Sequence, residues 1–252
     1  MTLLKVDRLS FSYGPGPLIK DLSFEARPGD LICVLGPNGC GKSTLLKLLT
    51  GYMKAQGGSV RLSGEDASAV APERLAALAA YVPSEISTPY DFTVRETVLL
   101  GRIARRGFWR GYSSEDAAAA DLAMAETGTA ALAGRSIVTL SSGERQLVFI
   151  AQALAQEAKL LLLDEPTSHL DMKYKSDIMA LLARLAGKGL AVAAVLHEPA
   201  LAALGCGKAL LMEKGGGYAF GPAAEMLRPA RLAAVYGLPE TSPLLASVPV
   251  RP

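Results

Sequence analysis

The stretch that decides the fold reads GPNGCGKST and covers residues 36 to 44. It fits the pattern G-x-x-x-x-G-K-[ST] through Gly36, Gly41, Lys42 and Ser43. The apolar run DLICVLG precedes it, and the helically periodic STLLKLLTG overlaps its end. A glycine loop between a strand and a helix lets backbone N–H groups surround phosphate oxygens, beside the positive end of the helix dipole. This context favours a nucleotide phosphate loop over a purely structural turn, with Lys42 reaching the β and γ phosphates and Ser43 binding Mg²⁺.

Two carboxylates follow a second apolar strand, LLLLDE, at residues 160–165. They lie at the carboxyl end of the predicted strand, which is where α/β proteins bind ligands. We predict that Asp164 holds Mg²⁺ through water and that Glu165 polarises an attacking water. A helix cap is the alternative for the acidic pair. His197 ends the strand GLAVAAVLH, where it either reaches the γ-phosphate or serves as a core or capping histidine.

Short apolar strands alternate with helices, which indicates an α/β fold: a P-loop NTPase core with a mostly parallel sheet. The opening stretches LLKVDRLSFSY and DLSFEA predict an N-terminal antiparallel β edge subdomain. The helical sequence pattern between about 91 and 138 predicts an inserted α-helical subdomain, in which Ser113 and Asp116 form a capping box. KALLMEKGG is expected to be the last strand, followed by a short helix in RLAAVYGLPE. We expect a single domain over 1–240 and a loosely held tail over 241–252.

The bulk composition restricts the function classes. The 252 residues carry a net charge of +2, so the overall charge gives no electrostatic attraction to nucleic acid. The three cysteines are odd in number and lack metal-ligand spacing, which suggests a reducing compartment. No apolar run approaches the ~20 residues of a membrane span, and the charged start MTLLKVDRLSFSYG does not resemble a secretory signal. We therefore expect a cytosolic chain without a membrane span.

A second anion-binding pattern, LSSGERQ, occupies residues 140–146 and runs into a helically periodic stretch. It has no lysine of its own. Ser141 and the backbone N–H of Gly143, at a helix start, are suited to a phosphate. A simple capping loop is the alternative.

Taken in order, these motifs resemble those of the ATPase subunit of an ABC transporter. LSSGERQ matches the family signature, GPNGCGKST the phosphate loop and LLLLDEP the second nucleotide motif. SHLD (168–171) resembles the loop that follows, and His197 the switch histidine. Tyr13 stands where the family stacks an aromatic ring on adenine.

The resemblance implies a head-to-tail homodimer in which the signature of one subunit closes on ATP held by the phosphate loop of the other. It assigns hydrolysis to Glu165 and His197. The residues that it assigns to ATP are Tyr13, Gly36, Asn38, Gly39, Cys40, Gly41, Lys42, Ser43, Thr44, Ser141, Ser142, Gly143, Glu144 and Asp171. Those that it assigns to Mg²⁺ are Ser43, Asp164 and Ser84.

The sequence departs from the family pattern at several of these positions. Ser142 replaces the first of two usual glycines. Ser84 stands where a glutamine usually follows YVP, which leaves a water bridge to Mg²⁺ or a shifted role for Glu85 as alternatives. Cys40 lies between two loop glycines, where a redox-sensitive thiolate and a tolerated small residue are both possible, the second being favoured. Glu198 stands where an aspartate often follows the histidine.

The chain has no fused membrane spans, an arrangement that resembles bacterial importers. TVRETVLLGR (93–102) and the later VYGLP resemble the importers of iron–siderophore, haem, cobalamin and metal-oxyanion substrates. This resemblance implies two polytopic permease subunits, an extracytoplasmic substrate-binding protein that acts indirectly, and a peripheral location on the cytoplasmic face of the inner (plasma) membrane.

The basic and aromatic stretch ARRGFWRGY (104–112) allows three interpretations. It could bind nucleic acid, form a solvated surface, or dock on the cytoplasmic helices of the membrane subunit, and we favour the last because exposed aromatics mark contacts. The expected partners therefore exclude nucleic acid. The alternative function is a soluble ABC ATPase that acts on nucleic acid, ribosomes or cofactor assembly.

Overall fold

The computed structural model describes residues 2–86, 90–106, 111–246 and 248. The strands are β1 (Leu4–Phe11), β2 (Ile19–Ala26), β3 (Leu31–Leu35), β4 (Gly57–Leu62), β5 (Glu65–Asp66), β6 (Ala79–Val82), β7 (Leu160–Asp164), β8 (Ala191–Val195), β9 (Lys208–Met212) and β10 (Tyr218–Pro222). The helices are α1 (Lys42–Leu49), α2 (Pro72–Leu78), α3 (Val94–Leu99), α4 (Ile103–Arg106), α5 (Ser114–Thr127), α6 (Ser142–Ala155), α7 (Met172–Gly187), α8 (Pro199–Gly205), α9 (Ala223–Met226), α10 (Pro229–Tyr236) and α11 (Pro243–Ala246).

The strands form two sheets, as the patterns predicted. The first has the order β2-β1-β4-β5 and is antiparallel throughout. The second has the order β10-β9-β3-β8-β7-β6 and is parallel from β9 to β6. The α/β class with a mostly parallel sheet and an N-terminal antiparallel sheet is thereby confirmed.

The strand that follows Lys208–Met212 was missed. Lys208–Met212 is not the last strand, because Tyr218–Pro222 returns antiparallel beside it. The turn between them uses Gly215 and Gly216 at φ +87° and +89°, values that glycine adopts at little cost. A strand that contains Gly221 and ends in a proline carries a weak sequence signal, and this is why it was not predicted.

Both faces of the larger sheet are buried, which explains the continuous leucine run in β7. Leu161 and Leu163 pack in the core shared with α5, α6 and α7. Leu160 and Leu162 point the other way, into the core shared with α1 and the antiparallel sheet. Because successive strand residues alternate between faces, a strand covered on both sides must be apolar at every position.

A buried ion pair fixes the helices between residues 93 and 128. Arg102 is 3% exposed, and its Nε donates to Asp116 Oδ1 at 2.9 Å. Its Nη1 donates to the Ala155 carbonyl at the end of α6 and to Glu157 Oε2. Asp116 also completes the predicted capping box with Ser113. This cluster joins the start of α5 to the end of α6, so the helical segment is packed on the helix that follows the signature loop.

The C-terminal region matches expectation in one part and differs in another. Helix α10 ends at Gly237 in the left-handed conformation, as the Gly-Pro signal predicted. The expectation of a loose tail is wrong for Leu245 and Val248, which are buried in the core. The side chains of Leu245 and Val248 add to the core rather than face solvent. No helix within the described ranges is long and apolar enough to span a bilayer.

Candidate nucleotide-binding site

The strand order brings three chain segments to one sheet edge. The phosphate loop follows β3, Asp164 ends β7, and the segment ending in His197 follows β8, which pairs with both. In a parallel sheet the carboxyl ends of neighbouring strands lie at the same edge. These groups therefore lie together, although each is more than 30 residues from the next along the chain.

The phosphate loop has the backbone that its glycines predict. Gly36, Gly39 and Gly41 have φ values of +151°, +80° and +102°. Gly41 is the left-handed N-cap of α1, so the first N–H groups of the helix face the loop. At Gly41 an added Cβ would lie 2.9 Å from Leu18 Cγ, so this position excludes a side chain by space as well as by conformation.

Lys42 is buried, and its ammonium group is directed back over the loop. Nζ donates to the carbonyl oxygens of Gly36 at 2.8 Å and Pro37 at 3.1 Å. The charge therefore occupies the space that the loop encloses, where an anionic phosphate would gain most from it.

Ser43 and Asp164 are in contact, as expected of two groups that hold one cation. Ser43 Oγ donates to Asp164 Oδ1 at 3.1 Å, and Tyr81 Oη donates to Oδ2 at 3.3 Å. Burial raises the pKa of Asp164, and the bond from Ser43 partly offsets this rise. Within the described ranges no cluster of three His, Cys, Asp or Glu residues could hold a metal. One carboxylate and one hydroxyl suit Mg²⁺, which commonly takes its remaining ligands from water and substrate phosphates.

Glu165 and His197 form a pair beside the loop. His197 Nε2 lies 2.6 Å from Glu165 Oε1, and Ser168 Oγ donates to Oε2 at 3.1 Å. The backbone of Glu165 adopts φ +52°, an uncommon value for a residue with a side chain. Strained backbone of this kind is concentrated at functional sites. Here it occurs where the successive carboxylates of Asp164 and Glu165 point in different directions. Ser168 was missed by sequence reasoning, although it lies only three residues after Glu165.

A cavity of about 470 Å³ joins the loop to this pair. The residues that line it are Tyr13, Leu18, Asn38, Gly39, Gly41, Lys42, Ser43, Thr44, Glu165 and His197. Tyr13 is 69% exposed and stands edge-on to Phe11 at 4.9 Å, and its hydroxyl lies 3.4 Å from Thr44 Oγ1. An exposed ring at the mouth of a phosphate-binding cavity is available for stacking on a base.

Ser84 is exposed and lies apart from that cavity. It lines a second cavity of about 880 Å³, together with Glu85, Tyr81, Ser43 and Asp164. Ser43 thus lines both cavities, and Asp164 lines the second. Ser84 as a Mg²⁺ ligand stays a prediction, whereas Tyr81, which was not predicted, directly contacts the carboxylate.

Cys40 is fully buried below the loop. Burial is the main cause that raises the pKa of its thiol, and the charge of Lys42 only partly opposes it. A thiol with a raised pKa and no exposure forms little thiolate, so the favoured interpretation as a small packed residue is supported over a redox role.

The signature loop caps helix α6 with a capping box. Ser141 Oγ accepts from the Glu144 N–H at 3.2 Å, and Glu144 Oε2 accepts from the Ser141 N–H at 2.9 Å. The Ser141 N–H is the main cause that lowers the pKa of Glu144. Ser142 and Gly143 form the first turn of the helix, where the N–H groups have no acceptor within the helix and point towards its positive end.

Tyr174 connects the signature loop to the loop after Glu165, and sequence reasoning missed it. Its backbone N–H donates to Asp171 Oδ1 at 2.9 Å, which caps α7. Its ring lies against Gly143, where an added Cβ would be 2.3 Å from Cγ of the ring. Two motifs assigned to a dimer face are thus fixed relative to each other within one chain. Lys175 similarly reaches Glu198, the residue after His197.

The signature loop and the phosphate loop are not brought together in one chain. Of the described residues, the lining of the 470 Å³ cavity includes none from the signature loop (140–146) and not Asp171. The phosphate loop and the signature loop therefore do not line one cavity within a single chain, as far as the described residues go.

Comparisons with known proteins agree with this geometry. Residues 19–168 match the family described as ABC transporter. The chain is 40% identical over 214 residues to an uncharacterised ABC transporter ATP-binding protein of Bacillus subtilis (strain 168), and the match covers 84% of this chain but only 48% of that protein. It is 36% identical over 236 residues to the ferric enterobactin transport ATP-binding protein FepC of Escherichia coli (strain K12), covering 93% of this chain and 87% of the relative.

Among solved structures, a similar one is an ABC transporter assigned to the metal-chelate type, in an inward-facing conformation. The TM-score is 0.85 at 33% identity, and the superposition covers 95% of this chain and 90% of the other. The family match spans the phosphate loop, the signature and the Asp164–Glu165 pair, which are the features that form the site described above. The chain therefore belongs to the ABC transporter family, as one of its ATP-binding proteins.

Proposed function

We propose that this chain is the ATP-hydrolysing subunit of an importer for a metal chelate or a related substrate, which passes through a separate membrane permease. The substrates considered are iron–siderophore, haem, cobalamin and metal oxyanion. The observation that carries the ATPase part is the cavity in which Lys42 and Ser43 face the Glu165–His197 pair. The importer part is supported by the similarity to the ferric enterobactin protein and to the transporter of metal-chelate type.

Different residues of this chain carry out different parts of ATP hydrolysis. The glycine loop and Lys42 bind the phosphates and orient the terminal one. Glu165 accepts a proton from water as the water oxygen bonds to the γ-phosphorus, and the bond from that phosphorus to the bridging oxygen breaks to leave ADP and phosphate. His197 and Ser168 hold the two oxygens of Glu165, which keeps the carboxylate directed at the phosphate.

Ser43 and Asp164 would hold Mg²⁺ beside the phosphates. The ion would neutralise the charge that develops on the phosphate oxygens. Tyr81 holds the outer oxygen of Asp164 and so restricts the direction of this carboxylate.

A second copy of the chain completes the site in this proposal. The N–H groups of Ser142 and Gly143, at the start of α6, are suited to the γ-phosphate bound by the other copy. Within one copy, the described lining of the phosphate-loop cavity contains no residue of the signature loop. A head-to-tail pair would bring the signature loop of each copy to the phosphate loop of the other, and hydrolysis then removes the contact that holds the pair together.

The permease is proposed to contact the 880 Å³ cavity. Its rim carries Tyr52, which is 83% exposed, and its wall includes Ser84 and Glu85 next to the Ser43–Asp164 pair. A partner helix in this cavity would lie close to the groups proposed to hold Mg²⁺. Four of the nine residues in the basic and aromatic stretch that was expected to dock the permease, residues 107–110, lie outside the described residues.

The ATPase part is tested on the purified chain by ATP affinity and phosphate release. Lys42→Ala should weaken ATP binding and abolish release, whereas the exposed Lys54→Ala should change neither. Unchanged ATP affinity in the Lys42 variant, measured by calorimetry, would contradict the assignment.

The transport part is tested by co-purification from membranes and by reconstitution of the resulting complex in liposomes. We expect a polytopic permease, and ATP hydrolysis that rises when a ferric chelate and its binding protein are supplied. Tight binding of nucleic acid at physiological salt, with no membrane partner, would instead support the soluble alternative.

A further inference from the structure

Helix α10 contacts the first residue of the phosphate loop from 200 residues away in the chain. The oxygen of the Tyr236 hydroxyl accepts from the Gly36 N–H at 3.2 Å. Tyr236 is the last residue of α10, and this helix lies outside the stretch, 19–168, that matches the family.

Gly36 is enclosed on its other sides. An added Cβ would lie 2.2 Å from the Met212 carbonyl oxygen and 2.9 Å from Cys40 Sγ. The pairing of β3 with β9 ends one residue earlier, at Leu35. The Gly36 N–H is therefore a buried donor just beyond the sheet, and the phenol satisfies it.

The same residue holds the catalytic lysine through its carbonyl oxygen. Lys42 Nζ donates to this oxygen at 2.8 Å. A continuous set of hydrogen bonds thus runs from the phenol to the Gly36 N–H, and from the Gly36 carbonyl oxygen to the ammonium group that faces the cavity.

We propose that Tyr236 is a positioning residue for the phosphate loop: it holds Gly36, and through Gly36 it sets the place of Lys42 for binding polyphosphate. The inference rests on the proposed nucleotide site. Tyr236 touches no substrate in this account and acts only through the loop.

The packing of α10 makes this contact a rigid one. Leu232, Ala233 and Val235 are buried in the core, and Gly237 ends the helix in a left-handed turn. Burial raises the pKa of Tyr236 to about 12, so the group stays a neutral phenol at physiological pH. The helix that carries Tyr236 is therefore held in place, and the phenol stays uncharged.

Tyr218 provides a matched control. Its hydroxyl oxygen also accepts a backbone N–H, that of Ser23 at 3.0 Å, and it donates to the Asp21 carbonyl at 3.1 Å. Tyr218 lies in β10, and its hydroxyl reaches β2; none of its hydrogen bonds within the described residues goes to the phosphate loop. Replacing either tyrosine with phenylalanine removes one oxygen atom, which costs Tyr236 one backbone hydrogen bond and Tyr218 two.

The experiment compares Tyr236→Phe and Tyr218→Phe with the wild-type chain. Calorimetry with Mg-ATP should give a Kd raised about threefold to tenfold for Tyr236→Phe, the range expected for one lost hydrogen bond, and a Kd within twofold of wild type for Tyr218→Phe. Amide exchange without nucleotide should accelerate over residues 36–42 in the first variant only. Tyr218→Phe should lose at least as much thermal stability as Tyr236→Phe, because it loses two backbone hydrogen bonds and Tyr236→Phe loses one.

Three outcomes would overturn the proposal. One is an ATP Kd for Tyr236→Phe within twofold of wild type, and another is an equal loss of affinity in Tyr218→Phe. The third needs no variant: the Gly36 amide of the wild-type chain, followed by NMR, should exchange slowly without nucleotide, and exchange at the rate of an unprotected amide would contradict the bond. Failure of the wild-type chain to bind ATP would instead overturn the nucleotide site itself.

Discussion

Gly143 in the signature loop should be intolerant of even one methyl group, because Tyr174 occupies the space. The Cβ of an alanine would lie 2.3, 2.4 and 2.6 Å from three ring carbons of Tyr174. Carbon atoms in contact normally lie roughly 3.5–4.0 Å apart, so the ring has to withdraw by about 1 Å or more. Overpacking of this kind costs about 1–3 kcal/mol of the free energy of unfolding.

The backbone itself does not oppose the change. The φ value of Gly143 is not among the positive ones, and the residue lies in the first turn of α6. Alanine in a helix is favoured over glycine by up to about 1 kcal/mol. We therefore expect Gly143→Ala to destabilise the chain by a net of about 0.5–2 kcal/mol, which lowers Tm by roughly 1–8 °C for a chain of this size.

Whether Gly143→Ala lowers or raises the free energy of unfolding should depend on Tyr174. In a Tyr174→Ala background the space is free, so the same Gly143→Ala change should be neutral or stabilising. Gly187→Ala supplies the control, since Gly187 ends α7 and has nothing within 4 Å of an added Cβ. It should be neutral or stabilising in either background.

Thermal and urea unfolding of the four chains of the cycle measure the coupling, and phosphate release measures the effect on the signature. The steric conflict with Tyr174 is refuted if Gly143→Ala is as harmless as Gly187→Ala in the chain that keeps Tyr174. It is refuted equally if the cost persists unchanged when Tyr174 is alanine, since the ring could not then be its cause.

Three further predictions concern the site and the helical segment. Glu165→Gln should block hydrolysis and accumulate an ATP-bound dimer on size exclusion, because the amide cannot take the proton; near-normal turnover would contradict this. Asp116→Asn should lower stability at neutral pH and remove an acid-sensitive contribution of about 2 kcal/mol. The Ser113 N–H and then Arg102 hold the pKa of Asp116 at about 2, so this contribution is full above pH ~4 and is lost as the pH falls towards 2; equal acid sensitivity of both chains in urea unfolding would argue otherwise. Ser84→Gln should change permease-stimulated ATPase activity more than the basal rate, and a change confined to the basal rate would exclude a role in coupling.

Local chemistry explains why some features could be predicted from the sequence. The glycines of the phosphate loop, the Ser113–Asp116 capping box and the Gly237 helix end depend on residues a few positions apart. Backbone conformation and neighbouring hydrogen bonds decide such features, and both are encoded in short stretches. The leucine run of β7 likewise predicts a strand buried on both faces, because no other strand environment requires apolar residues at successive positions.

Contacts between distant segments could not be predicted in the same way. The leucines of β7 do not predict that β8 lies between this strand and β3. This strand order is what places His197 2.6 Å from Glu165. Tyr174 against Gly143 and Tyr236 against Gly36 likewise join segments whose separate patterns contain no reference to each other. The sequence alone determined which residues could bind and cleave a nucleotide, because residue type and local spacing define that chemistry. Only the tertiary structure decided which side chains hold those residues in place, because that depends on how the sheet and helices pack.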